Sequence, residues 1–275
     1  MKLTLLGTGS PTPNPDRAGP SQHLQLAGAS ALVDCGNGAA RRMVEAGLRP
    51  EDLDVIFITH MHSDHTIDLA HMLLTGWIAY RKKPVKIIGP EYIAEFVKRL
   101  LHAFELDIRI RRLEERVGKD IMHVEVQEVG RGEVIQGDGW RCTAIEVEHG
   151  YVKPALGFKF EEDRKTVVIS GDTGPSEALI EAARGADILV HELMTAMPDR
   201  CTKHGPGAEN LTVFQRRIAE SHTCIHEIGD IAKRAEVGQL VLSHLPPHPD
   251  EALVKDLIGR EYHGPIDVGR DLLKV

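Results

Sequence analysis

The sequence Phe57-Ile58-Thr59-His60-Met61-His62-Ser63-Asp64-His65 places four potential metal ligands directly after a short apolar strand. The backbone leaves the predicted sheet at that point, so the side chains can converge. Imidazole nitrogens and carboxylate oxygens suit zinc, manganese or iron. With 15 histidines in 275 residues, an H-x-H-x-D-H pattern arises by chance in only roughly a few chains per thousand. The pattern therefore predicts a metal site.

Three further strand ends carry residues of the same type. His149 ends an alternating strand that begins near Thr143, Asp172 follows the apolar run 167–169, and His244 follows the run 240–242. Strand ends that meet can hold two cations a few ångströms apart, with the carboxylate of Asp172 bridging them. The predicted ligands are His60, His62, Asp64, His65, His149, Asp172 and His244.

Apolar runs of strand length alternate with amphipathic stretches along the whole chain, which indicates an α/β fold. The predicted strands cover residues 2–6, 30–33, 54–58, 85–88, 143–149, 166–169, 187–190 and 239–242. The predicted helices cover residues 38–46, 69–80, 91–105, 176–183, 223–235 and 249–258. No repeat or linker interrupts this alternation, so we expect one domain over residues 1-275.

Composition places the chain among globular proteins, with 42% hydrophobic and 27% charged residues. A formal net charge of −8 argues against general attraction to phosphate backbones and favours a small-molecule substrate. No stretch looks like a signal peptide or approaches the roughly 20 apolar residues of a membrane span. We therefore expect a cytoplasmic protein without a membrane partner.

Together these motifs resemble the metallo-β-lactamase superfamily, and within it the ribonuclease Z and arylsulfatase-like branch. The resemblance covers nearly the whole chain and implies a four-layer αββα sandwich with its site along one edge. The motifs that carry it are Gly7-Thr8-Gly9-Ser10, Val33-Asp34-Cys35-Gly36, the 60–65 stretch, Ser170-Gly171-Asp172-Thr173-Gly174, His191-Glu192, Ser221-His222-Thr223 and Leu242-Ser243-His244.

The resemblance also implies how two divalent ions would be shared. Zinc is expected first, with manganese or iron as alternatives, and a metal-bridging hydroxide would be the nucleophile. Asp64 would also orient or deprotonate this water. One ion would be held by His60, His62 and His149, the other by Asp64, His65 and His244, with Asp172 bridging.

Three other residues gain roles from the same resemblance. Glu192 and His222 match a pair that donates a proton to the leaving group, since a neighbouring carboxylate keeps an imidazole protonated. The alternative for His222 is a solvated helix residue. Asp34 matches an aspartate that orients a ligand imidazole, with an ordinary turn residue as the alternative. His204, in the Gly-Pro loop 197–207, could line a substrate pocket.

The expected reaction is hydrolysis of a phosphodiester in a small or single-stranded substrate. Ribonuclease Z carries an arm between the positions of His149 and Asp172, and only residues 150–171 separate them here. That span disfavours tRNA and leaves a small-molecule ester as the expected partner. Arylsulfatase, lactonase and β-lactamase-type hydrolysis are alternatives on the same site. An iron-dependent redox enzyme and a non-catalytic binding protein are rivals that the retained ligands argue against.

A homodimer is also expected from the resemblance. The apolar residues Leu73, Trp77 and Tyr80, in the predicted helix after the metal motif, could form its contact.

Overall fold

The computed structural model describes residues 1–114, 123–193 and 212–275. The described strands are β1 (Lys2–Gly7), β2 (Ser21–Leu26), β3 (Ala29–Val33), β4 (Val55–Phe57), β5 (Val85–Gly89), β6 (Val124–Glu128), β7 (Val134–Gln136), β8 (Trp140–Glu146), β9 (Leu156–Glu162), β10 (Lys165–Ile169), β11 (Ile188–Glu192), β12 (Gln239–Ser243), β13 (Ile266–Val268) and β14 (Leu273–Lys274). The described α-helices are α1 (Ala39–Glu45), α2 (Ser63–Thr66), α3 (Leu69–Ile78), α4 (Ile93–Ala103), α5 (Glu105–Leu113), α6 (Glu177–Ala182), α7 (Val213–Ser221), α8 (Ile225–Arg234) and α9 (Glu251–Gly259).

The strands of these three ranges form two seven-stranded sheets. Their orders are β14-β1-β2-β3-β4-β5-β6 and β13-β12-β11-β10-β9-β8-β7. Phe57 of the first sheet contacts Phe158 and Phe160 of the second, each with ring centroids 5.1 Å apart. These rings belong to an apolar layer between the two sheets, so the sheets pack face to face.

Helices cover the outer face of each sheet. Met43 of α1 and Met72 of α3 belong to the apolar cluster on the first sheet. Ile180 of α6, Ile228 of α8 and Ile258 of α9 belong to the cluster on the second. Each sheet is therefore covered by helices on its outer face and by the other sheet on its inner face. The predicted four-layer αββα sandwich is confirmed.

Parallel strands bring the predicted ligands to one edge. Strands β3, β4 and β5 run parallel in the first sheet, and β10 to β13 run parallel in the second. The sheets meet at this edge, where Leu156 N donates to Thr59 O at 2.9 Å and Gly9 forms a bridge with Leu245. Since side chains that follow parallel strands share one edge of a sheet, the loops after β4, β10 and β12 converge here.

The predicted homodimer contact is wrong for Leu73 and Trp77, whereas the homodimer itself stays a prediction. Leu73 is 1% exposed and Trp77 is fully buried, while Tyr80 is 59% exposed. Leu73 belongs to the apolar cluster on the first sheet and Trp77 packs against Ile108 of α5, so these two residues stabilise the interior. Ile78, at the end of α3, is exposed.

Within the described ranges, no helix combines the length and the apolar character needed to cross a bilayer. The cytoplasmic location and the single domain over residues 1-275 stay predictions. The loop 197–207, with His204, lies outside the described residues.

Candidate active site

The metal motif takes its shape from a strand end followed by a short helix. Strand β4 ends at Phe57, and the backbone N–H of Thr59 then donates to Asp34 Oδ1 at 2.8 Å. His62 is extended and immediately precedes α2, which contains Asp64 and His65. The side chains of His60 and His62 therefore project from an extended segment. Those of Asp64 and His65 project from a helical turn and reach a different side of the site.

One group of potential ligands contains His60, His62, His149 and Asp172, whose ligand atoms lie within 4.8 Å of one another. The distance from His60 Nε2 to His62 Nδ1 is 3.0 Å, and from His149 Nε2 to His62 Nδ1 is 3.2 Å. Asp172 Oδ2 lies 3.8 Å from His60 Nε2. The nitrogens of three imidazoles thus point at one small volume beside a carboxylate.

A second group contains Asp64, His65 and His244. Asp64 Oδ2 lies 3.2 Å from His244 Nε2 and 3.6 Å from His65 Nε2. The oxygen Oδ2 of Asp172 is 3.3 Å from each of these two imidazole nitrogens. Asp172 therefore lies between the groups, and the structure brings all seven predicted ligands together.

Unsatisfied buried atoms in this cluster match a cation site. Within the described part of the chain, His65 Nε2 and Asp172 Oδ1 are buried without a hydrogen-bond partner. Such atoms cost about 1–3 kcal/mol each unless something compensates them. Nitrogen and oxygen donors at these separations are the set that divalent cations bind, so the residues present fit metal ions.

The protonation states of His60 and Asp172 suit metal binding. Burial lowers the pKa of His60 well below its ordinary value, so its imidazole is neutral. Burial alone would raise the pKa of Asp172, but the neighbouring imidazoles of His244 and His65 hold it well below its usual range. Neutral imidazole and ionised carboxylate are the forms that act as ligands. His65 differs: burial alone would lower its pKa, but the carboxylates of Asp172 and Asp34 raise it well above its ordinary value, so its imidazole must lose a proton when a cation binds.

Two of the imidazoles are oriented by hydrogen bonds from their other nitrogen. His65 Nδ1 donates to Asp34 Oδ2 at 2.7 Å, and Asp34 also accepts a bond from the Thr59 hydroxyl. His149 Nδ1 donates to the backbone oxygen of Ser221 at 2.8 Å. These bonds leave Nε2 of each ring facing the cluster, and the contact predicted for Asp34 is present.

His222 and Glu192 form a buried pair at the side of the cluster. His222 Nδ1 lies 2.8 Å from Glu192 Oε1, and its ring lies 4.9 Å from that of His149 and 5.8 Å from that of His244. Burial alone would lower the pKa of His222, but the Glu192 carboxylate raises it to about 9. His222 is therefore an imidazolium at neutral pH.

Backbone donors position this carboxylate. Glu192 Oε1 also accepts hydrogen bonds from the backbone N–H groups of Thr223 at 3.2 Å and Thr173 at 3.3 Å. Sequence analysis placed these two threonines, together with Thr59 and Ser221, within motifs but assigned them no role. The only signal available was that each is adjacent to a predicted site residue.

The remaining histidines near the site lie outside both ligand groups. His191 is buried and Nδ1 of its ring bonds to Glu192 O at 2.8 Å. His226 is exposed on α8.

Comparisons with known proteins give the chain its relatives. A family model described as the anti-Pycsar protein Apyc1 matches residues 1–230. Ribonuclease Z of Mycobacterium bovis (strain BCG / Pasteur 1173P2) is 36% identical over 286 residues, covering 100% of this chain and 98% of the relative.

Two solved structures show the same fold. The metallo-β-lactamase fold protein YhfI of Bacillus subtilis has a TM-score of 0.77 at 19% identity, covering 100% of this chain and 98% of its own. The short form of human tRNase Z has a TM-score of 0.73 at 21% identity, again covering 100% and 98%.

These relatives overturn the expected substrate. The span between His149 and Asp172 holds only β9 and β10, which are joined by a tight turn at residues 163–164. However, the mycobacterial ribonuclease Z matches along 98% of its length, so it has no long arm that this chain lacks. The short span therefore does not separate the chain from ribonuclease Z. The expectation of a small-molecule ester substrate, with tRNA disfavoured, was wrong.

Proposed function

This chain belongs to the ribonuclease Z and Apyc1 family of metallo-β-lactamase-fold proteins and is a metal-dependent phosphodiester hydrolase, and we propose that the phosphodiester it cleaves lies in RNA. The observation that carries the proposal is the buried His222–Glu192 pair beside a cluster of seven metal-binding side chains. A tRNA is the substrate to test first, because one structural neighbour is a tRNase Z and the sequence relatives are named ribonuclease Z.

The seven clustered residues would hold two divalent ions. When bound, two such ions lower the pKa of water toward neutrality and stabilise the charge that builds up on the phosphoryl oxygens. Zinc is proposed first because imidazole-rich sites of this size suit it, and manganese and iron share the same donors. The proposed ligands are His60, His62 and His149 for one ion and Asp64, His65 and His244 for the other, with Asp172 shared.

Asp64 has a second proposed task. Its Oδ2 lies 3.2 Å from His244 Nε2, and its side chain is 12% exposed. A partly exposed carboxylate at the open side of the cluster can accept a hydrogen bond from an attacking water and orient it toward phosphorus.

Protonation of the leaving oxygen is assigned to His222. Its Nδ1–H is held by Glu192, so Nε2–H is the donor proposed to face the substrate. As the bond from phosphorus to the leaving oxygen breaks, that oxygen takes the proton from Nε2, and the imidazolium becomes neutral. The sugar oxygen of RNA is a poor leaving group, so this transfer lowers the barrier substantially.

A direct test uses an end-labelled tRNA transcript with extra nucleotides at both ends, incubated with metal-loaded protein. We expect wild type to cleave the RNA at a discrete position. Asp172→Asn should lose this cleavage, and added metal should not restore it to the wild-type rate. The matched control is Asp138→Asn, a similar change at an exposed carboxylate, which should cleave normally. Intact RNA with metal-loaded wild type would refute the proposed substrate class.

A further inference from the structure

Tyr151 presents an aromatic ring to solvent beside the proposed catalytic site. It is 90% exposed, more than any other large hydrophobic side chain in the described ranges. An aromatic ring left in water forgoes the stabilisation that burial of its surface would give. Tyr151 thus contributes little to folding in this position, and its ring is available for a ligand.

The backbone that carries Tyr151 is held firmly in place. Val152 N donates to His149 O at 3.0 Å, which closes a tight turn over residues 149–152. Gly150 adopts a φ of 57° and packs against the side chain of Ser221, where a larger residue would clash. A ring on a fixed turn loses little conformational freedom when a ligand stacks on it.

The turn also places the backbone of Tyr151 close to the proposed catalytic residues. Two residues span at most about 7 Å, so the backbone of Tyr151 stays close to that of His149. His149 Nδ1 donates to the backbone oxygen of Ser221, the residue directly before His222. Tyr151 therefore belongs to the side of the site where His222 would protonate the leaving oxygen.

We propose that Tyr151 is a stacking platform for the nucleobase of the nucleotide that supplies the leaving oxygen. This inference rests on the proposed function, since it requires an RNA substrate. Single-stranded RNA presents unstacked bases that aromatic side chains bind face to face, and such stacking accepts any base. The metal-binding cluster takes the phosphate, and Tyr151 distinguishes a nucleotide phosphodiester from one without a base.

The test compares Tyr151→Ala and Tyr151→Phe on the cleaved RNA and on the same RNA lacking the base at that nucleotide. Loss of base stacking should raise KM roughly fivefold to 150-fold in Tyr151→Ala. Tyr151→Phe keeps the ring and should stay near wild type. On the abasic RNA, wild type and Tyr151→Ala should have equal KM. Tyr80→Ala, which removes an exposed tyrosine just beyond the C-terminal end of α3, should change KM for neither substrate.

An unchanged KM in Tyr151→Ala, or an equal loss on the abasic RNA, would overturn the stacking role while leaving RNA cleavage intact. If metal-loaded wild type cleaves no RNA, both the stacking role and the proposed function are refuted.

Discussion

Nδ1 of His222 donates a hydrogen bond to Oε1 of Glu192 at 2.8 Å, and both side chains are buried beside the seven clustered metal-binding residues. The carboxylate fixes the tautomer and orientation of the ring, and it favours the charged imidazolium. An imidazolium held with one N–H free is a proton donor. We propose that this pair delivers a proton to the leaving oxygen, a task separate from metal binding.

Replacing His222 should slow the reaction in a way that depends on the leaving group. His222→Ala should lower kcat on RNA by about 10²- to 10⁴-fold, because the sugar oxygen then leaves without a proton. Bis-p-nitrophenyl phosphate releases a stable phenolate and should lose far less. Steady-state kinetics on both substrates, with metal content checked, measures the difference. Equal losses on the two substrates would show that His222 serves the site in another way.

Replacing Glu192 should move the alkaline limb of the pH profile. His222 has a pKa of about 9, so its charged form is present below that pH and is lost as pH rises through it. In Glu192→Gln the attraction disappears while burial still disfavours the charge, so the limb shifts to lower pH. Bound cations would lower the pKa of His222 in both wild type and Glu192→Gln. The kcat profile from pH 6 to 10 reports this shift, and an unmoved limb would contradict the role of Glu192.

Removing Asp34 should weaken metal binding without removing a ligand. His65 depends on Asp34 for its orientation, and loss of such a partner lowers metal affinity about 10- to 100-fold. Asp34→Ala should show this in a competition titration with a chelator. Asp34→Asn keeps an acceptor oxygen and should bind metal better than Asp34→Ala. Wild-type affinity in Asp34→Ala would mean that other contacts hold the ring.

Trp77 tests whether helix α3 stabilises the interior. Trp77→Ala should lower the free energy of unfolding by about 3–5 kcal/mol, as deletion of a buried tryptophan side chain does. Tyr80→Ala, at an exposed position three residues later, should change it by no more than about 0.5 kcal/mol. Urea denaturation measures both. A stable Trp77→Ala variant with an altered oligomeric state would restore the interface role predicted from the sequence.

Much of the architecture could be predicted because core strands and outer helices have periodic apolar patterns. Strand β2 could not, since Gln22, His23 and Gln25 make it look polar. Yet Gln22 and His23 are buried, and His23 Nε2 lies 2.9 Å from the hydroxyl of Ser30 on the neighbouring strand. A polar residue can be buried when a partner on the neighbouring strand satisfies it, and that cross-strand pairing is not visible in the apolar pattern.

The predicted site residues converge in the structure because they follow strands whose ends share one edge. The sequence signalled this site because imidazole and carboxylate groups seldom recur at such strand ends without a common ligand. The residues that orient them, such as Thr59 and Ser221, act through a hydroxyl or a backbone oxygen, which any sequence offers in many places. The substrate was predicted wrongly because the short span after His149 was used as a test for tRNA. The span reports only the chain length between His149 and Asp172, and a ribonuclease Z relative matched along 98% of its length has no longer arm there.

We propose that seven side chains, Asp172 among them, hold two divalent ions. The most direct measurement is the metal content per chain of purified protein after saturation and removal of free metal, by inductively coupled plasma mass spectrometry. Two divalent ions per chain in wild type, falling in Asp172→Asn but not in Asp138→Asn, is the predicted result. A single iron per chain, or no retained metal at all, would contradict the account.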